Sequence, residues 1–260
     1  MNQQHRRDVI GAIVFDLDGT LIDSRGDIAA AVNHVLAEHG YVTLPLEQVM
    51  DFVGDGAGQL ILRAAGLPAH SPELGPMLDR FLDYYTAHAA DKTTWMPGAL
   101  EALDALREYP LAICTNKPQV TTLAVLGALG ALDRFAVILG GGELPVFKPD
   151  PLPMRTIAER LHCAPETLVM VGDGPQDIEA GKSVGAFTIG VRGGIAAPER
   201  LLASDPDLVL HSLWELPEAI TRLRGTRCRR LNHRSYGPKS TGAWRAAPAR
   251  SIGTSGNRLP

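Results

Sequence analysis

Val9-Ile10-Gly11-Ala12-Ile13-Val14-Phe15-Asp16-Leu17-Asp18-Gly19-Thr20-Leu21 is the stretch whose reading decides the fold of this 260-residue chain. Its first seven residues form a short, bounded apolar run rich in β-branched side chains, the pattern of a parallel strand buried on both faces. The run ends in two carboxylates. Spaced two apart, Asp16 and Asp18 share a face if the strand continues, and they crown its C-terminal end. Like charges that close repel unless a cation or a proton lies between them. The pair therefore points to a hard metal, to acid/base chemistry, or to both. Gly19 permits a sharp turn and Thr20 adds a hydroxyl. A bare D-x-D also fits a strand ending in a solvated acidic turn; the complete D-L-D-G-T-L string is far more specific.

Composition narrows the field. Hydrophobic residues make up 45% of the chain, as in ordinary soluble globular proteins, and the length suits one large α/β domain plus a smaller one. No apolar run approaches the ~20 residues of a membrane span. Arg6-Arg7 is not followed by an uninterrupted export signal or a small-residue cleavage site, so a cytoplasmic protein without membrane contact is expected. Cys114, Cys163 and Cys228 are widely spaced without a CxxC, which indicates neither a disulfide framework nor a zinc site. Cys114, inside an apolar strand, is expected in the core. From Arg224 onward there are nine Lys/Arg and no Asp/Glu. The body is therefore acidic, unlike a nucleic-acid binder, and residues 224–260 are expected to form a disordered basic tail unrelated to the chemistry.

Past Ser24 the pattern is helical. Asp27 to His39, Leu46 to Phe52, Ala57 to Ala65 and Pro72 to Ala89 carry helical periodicity, with Ser24 or Asp27 as cap of the first and Gly40 at its end. Residues 24–93 are thus expected to form a small helical insertion. From Trp95 onward, helices alternate with apolar runs at Leu111 to Thr115, Ala136 to Leu139, Leu168 to Gly172, Phe187 to Val191 and Leu208 to Leu210. Such alternation predicts a doubly wound parallel sheet built from 8–23 and 94–223. Its ligand site should lie at the C-terminal strand ends.

Three further strands end in polar residues at that edge. Thr115-Asn116 precedes a helix, Lys148 stands in Phe147-Lys148-Pro149-Asp150-Pro151, and Asp173 and Asp177 follow a fully apolar strand in Gly172-Asp173-Gly174-Pro175-Gln176-Asp177. Taken singly, these read as caps and a surface lysine. In this order, with D-x-D first, they resemble the four motifs of the haloacid dehalogenase superfamily of phosphotransferases. The resemblance implies that Asp16 is the nucleophile and Asp18 the general acid/base, with a pKa raised by acidic neighbours. It also implies that Thr115 and Lys148 bind the phosphoryl group, and that Mg²⁺ is held by Asp16, the Asp18 carbonyl and Asp173, with Asp177 in support. Gly174 replaces the usual hydroxyl residue after the last motif's aspartate, and Pro175-Gln176 stands where Arg-Asn is common.

Within the insertion, Gly54-Asp55-Gly56-Ala57 opens a helix carrying Arg63, where backbone N–H groups can approach an anion. It resembles the G-N-G-A loop of phosphoglycolate phosphatases, as do Thr115-Asn116-Lys117-Pro118 and Lys148-Pro149-Asp150-Pro151. The resemblance implies a C1-type cap, with Gly54, Asp55, Gly56, Arg63 and Asn116 as substrate-binding candidates. The substrate would be a small phosphate ester, 2-phosphoglycolate, and the protein a monomer or homodimer. Competing readings are a phosphatase for another sugar phosphate or pyrophosphate, a β-phosphoglucomutase-like mutase, and a catalytically silent binding module. A dehalogenase is disfavoured by the second acid, Asp18.

Overall fold

The computed structural model describes residues 10–224; the basic tail beyond Arg224 lies outside the described residues. The opening run forms β1 (Ala12–Phe15), fully buried as its composition requires. The turn after it leads to a two-residue strand, β2 (Ile22–Asp23). Four helices follow: α1 (Arg25–Glu38), α2 (Leu46–Met50), α3 (Ala57–Ala65) and α4 (Leu74–Ala87). The chain returns through β3 (Thr94–Trp95), which pairs antiparallel with β2. This short pair closes the base of the helical insertion, and two residues per strand were too few to register as a periodic pattern.

The rest alternates as expected: α5 (Ala99–Ala105), β4 (Leu111–Pro118), α6 (Gln119–Ala128), β5 (Val137–Gly141), α7 (Pro151–Arg160), β6 (Leu168–Gly172), α8 (Pro175–Ser183), β7 (Phe187–Val191), α9 (Pro198–Ala203) and β8 (Leu208–Leu210). A helix over 216–224 ends the described chain. The main sheet has the order β5-β4-β1-β6-β7-β8, and every pairing in it is parallel. The chain winds outward from β1 through β4 to β5, then crosses back to β6. The crevice at the carboxyl ends of β1, β4 and β6 is therefore the topological switch point, where open α/β sheets bind ligands.

Strand alternation divides the core. Ile13 and Phe15 join Ile113, Val169 and Val171 in one cluster, whereas Ala12 and Val14 join Cys114, Met154 and Met170 in the other. Burial pushes the Cys114 thiol up to about 12, as befits an inert core residue. The first cluster continues without a break into the insertion through Val32 and Leu36 of α1 and Met77, Phe81 and Tyr85 of α4.

The entry to α1 departs from expectation. Ser24 occupies the cap position but makes no side-chain cap bond; its hydroxyl donates to Asp18 instead. Buried Asp27 does not cap the helix either. Its carboxylate accepts from the Lys92 and Thr93 backbone N–H groups and from the Thr93 hydroxyl, tying the two ends of the insertion together.

Candidate active site

The switch point brings together residues from five separate segments. Asp16 leaves the end of β1 and is 8% exposed. Gly19, at φ +85°, turns the chain directly behind the pair; a Cβ there would stand 2.6 Å from an Asp173 oxygen. Gly172, the last residue of β6, likewise leaves no room for a Cβ against Asp177. Glycine at both positions lets the backbone close tightly around the carboxylates.

Asp16, Asp173 and Asp177 each present an oxygen, all within 4.8 Å of one another. Asp173 is oriented by the Thr20 hydroxyl at 3.0 Å and by the backbone N–H groups of Ile195 and Ala196. Asp177 accepts from the Gly174 N–H at 3.0 Å. Burial, reinforced by Asp177 and Asp173 and opposed by Lys148, pushes Asp16 up to about 8. Burial and Asp177 raise Asp173 to about 6. Three buried carboxylates crowded within 4.8 Å of one another are a hard, oxygen-only donor set, and they fit a divalent cation.

Lys148 is the counter-charge. Its Nζ lies 2.7 Å from Asp16 Oδ1 and 2.5 Å from Asp177 Oδ1. Burial disfavours its charge, but Asp16 and Asp177 outweigh that cost and hold the ammonium above the usual lysine range. Thr115 lies buried beside it; its Oγ1 accepts from the Lys117 N–H, so the hydroxyl proton stays available for an anion. Asn116 lines the same wall, yet its amide is spent on backbone. Nδ2 donates to Gly54 O at 2.9 Å and Lys148 O at 3.0 Å, and Oδ1 accepts from Lys148 N–H at 2.9 Å. It therefore braces the Lys148 turn against the insertion's glycine loop.

Asp18 has different company from what the sequence suggested. Its side-chain partners are the Ser24 hydroxyl and the Lys117 ammonium, so the charge against it is positive rather than acidic. The sequence reading assigned Lys117 no role. The register with β5 shifts between Cys114 and Pro118. Thr115, Asn116 and Lys117 are all buried, as are the residues before them in a strand covered on both faces.

These residues line a cavity of about 150 Å³ between the strand ends and the insertion. Gly54 and Gly56 face it, as do Met50, Leu60, Phe81 and Tyr85. Asp55 and Arg63 do not line it. They pair with each other at 2.6 Å, Arg63 also donates to Phe52 O, and Asp55 accepts from Gln176 of α8 at 3.2 Å. The pair holds the glycine loop, and Gln176 ties that loop to the sheet's end.

A buried carboxylate cluster offset by lysine stands at the switch point of a doubly wound parallel sheet, the place where open α/β proteins bind their ligands. The haloacid dehalogenase-like hydrolase family model matches residues 13–191, and the chain belongs to that family. It is 37% identical over 222 residues to the phosphoglycolate phosphatase of Chromobacterium violaceum, covering 83% of this chain and 97% of that one. It is also 37% identical to the phosphoglycolate phosphatase of Neisseria meningitidis, covering 80% and 93%. The crystal structure of a "predicted phosphoglycolate phosphatase" from Haemophilus somnus superimposes with a TM-score of 0.75 at 30% identity, covering 81% and 98%.

Proposed function

We propose that this chain is a Mg²⁺-dependent phosphatase that hydrolyses 2-phosphoglycolate to glycolate and phosphate. The observation that carries the reading is Asp16 on the cavity wall with Lys148 Nζ 2.7 Å away. That is a carboxylate nucleophile beside the charge needed to admit a phosphate dianion. The names of the relatives support the substrate, and a cavity of about 150 Å³ suits a small ester. Asp16, the Asp18 carbonyl and Asp173 would hold Mg²⁺, with Asp177 in support. The ion would neutralise charge on the phosphoryl oxygens.

Lys148 and the Thr115 hydroxyl hold the phosphoryl group while Asp16 attacks phosphorus in line. The ester P–O bond breaks, and the Asp18 carboxyl gives its proton to the leaving alkoxide. Water then attacks the phosphorus of the aspartyl-phosphate, and Asp18 takes its proton. Phosphate leaves and both aspartates are restored. The helices over 24–93 act as a cap over the site; Gly54 and Gly56 approach the substrate, and Asn116, Asp55 and Arg63 set the loop that carries them. Among the described residues no helix is long and apolar enough to cross a membrane, in keeping with a cytoplasmic enzyme, monomeric or homodimeric, acting on a diffusible metabolite.

A panel of phosphate esters assayed with and without Mg²⁺ tests the reading. 2-Phosphoglycolate should give the highest kcat/KM, chelator should abolish phosphate release, and Asp16→Asn should be inactive. A preference for a sugar phosphate or pyrophosphate, or glucose-phosphate isomerisation, would overturn the substrate assignment.

A further inference from the structure

Asp18 is gripped from two sides, and both grips depend on the inserted helices. From the insertion's entry, Ser24 Oγ donates to Oδ1 at 2.6 Å. From the end of β4, Lys117 Nζ donates to Oδ1 at 3.0 Å and Oδ2 at 3.2 Å. Lys117 is in turn held by Tyr85 of α4, whose hydroxyl oxygen accepts from Nζ and whose ring centroid lies 4.1 Å from it. Lys117, Ser24 and Tyr85 are all buried. A buried ammonium has three donors to place and no acceptor, so the carboxylate and the phenol oxygen together fix its direction. Cation–π contact adds to the hold.

The grip is asymmetric. Oδ1 receives two donors and Oδ2 one, so Oδ2 keeps more free acceptor capacity, and Asp18 faces the cavity. We propose that Lys117 and Tyr85 are positioning residues that aim Asp18 Oδ2 at the ester oxygen. The Tyr85 hydroxyl makes that aim conditional on α4 being seated against the sheet's end. The inference rests on the reading of Asp18 as the acid/base.

Tyr85→Phe in the full-length chain tests it, because the ring is kept and only the hydroxyl is lost. kcat/KM is compared for the best alkyl phosphate of the wild type and for p-nitrophenyl phosphate, whose leaving group departs without a proton. We expect a loss of about tenfold or more for the alkyl ester and under about threefold for the aryl ester, since general acid catalysis contributes roughly 10²–10⁴-fold. Inhibition by inorganic phosphate should not change. Lys117→Met should widen the same difference. Equal losses on both esters, or no loss on either, would overturn the proposal and leave Tyr85 a packing residue. A wild type that releases phosphate from neither ester would refute the phosphatase reading itself, and this inference with it.

Discussion

Lys148 Nζ stands 2.7 Å from Asp16 Oδ1 across 132 residues of sequence, and the same ammonium reaches Asp177. One buried cation thus answers two buried carboxylates. Replacing it by Met keeps the stem but leaves the acids unpaired. The expected result is a loss of at least about 10²-fold in kcat, the scale of removing one preorganised electrostatic group. Metal-free protein should also lose about 3–5 kcal/mol of stability, the usual cost of stripping one partner from a buried pair. Steady-state kinetics and denaturant unfolding in chelator check both.

The carboxylate cluster makes stability depend on pH. Asp16 rises from 3.8 unfolded to about 8 folded, and Asp173 from 3.8 to about 6. Between those limits the native state holds protons that the unfolded chain has released. Stability of the metal-free protein therefore falls as pH climbs from about 4 to about 8, and is unaffected by these groups below that window. A divalent cation competes with those protons. The rise in Tm on adding Mg²⁺ should accordingly grow between about pH 5 and 8; a Tm increment that stays flat with pH would contradict the cluster as the metal site.

Asn116 is predicted to act without touching substrate. Asn116→Asp removes both donors to Gly54 O and Lys148 O while keeping the shape. About 1–3 kcal/mol of stability should go with the buried carbonyls left unsatisfied. KM should rise more than kcat falls, because the glycine loop loosens while the nucleophile and metal ligands stay. A pure kcat effect would place Asn116 in the chemistry instead.

Asp27 offers a control for stability without chemistry. Its carboxylate closes the insertion through three donors of Lys92 and Thr93. Asp27→Ala should cost about 1.5–3 kcal/mol, the range for hydrogen bonds to a charged group. At temperatures well below the new Tm, kcat should remain within about threefold of wild type. Thermal unfolding alongside phosphate-release assays separates the two effects.

Part of this site was legible in the chain because it sits on regular structure. Asp16, Thr115, Lys148 and Asp173 each stand at or just beyond a strand or before a helix, and apolar runs mark those edges wherever they occur. Ser24 stands at the cap position as its place predicts, but its hydroxyl serves Asp18, and Asp27 serves Lys92 and Thr93 rather than the helix. Both lie at a helix start, where a polar side chain ordinarily serves its own backbone, and only the return of the chain at Lys92 and the nearby Asp18 offered them better partners.

The sequence alone therefore determined the winding of the sheet, the helical insertion and the acids at the switch point, since burial on both faces writes itself into local periodicity. Tertiary structure decided who neutralises whom. Lys117 is buried at the end of β4, where it meets Asp18 from beyond β1 and Tyr85 from α4. Charge pairing depends on distances between segments far apart in the chain, and no local pattern carries those distances.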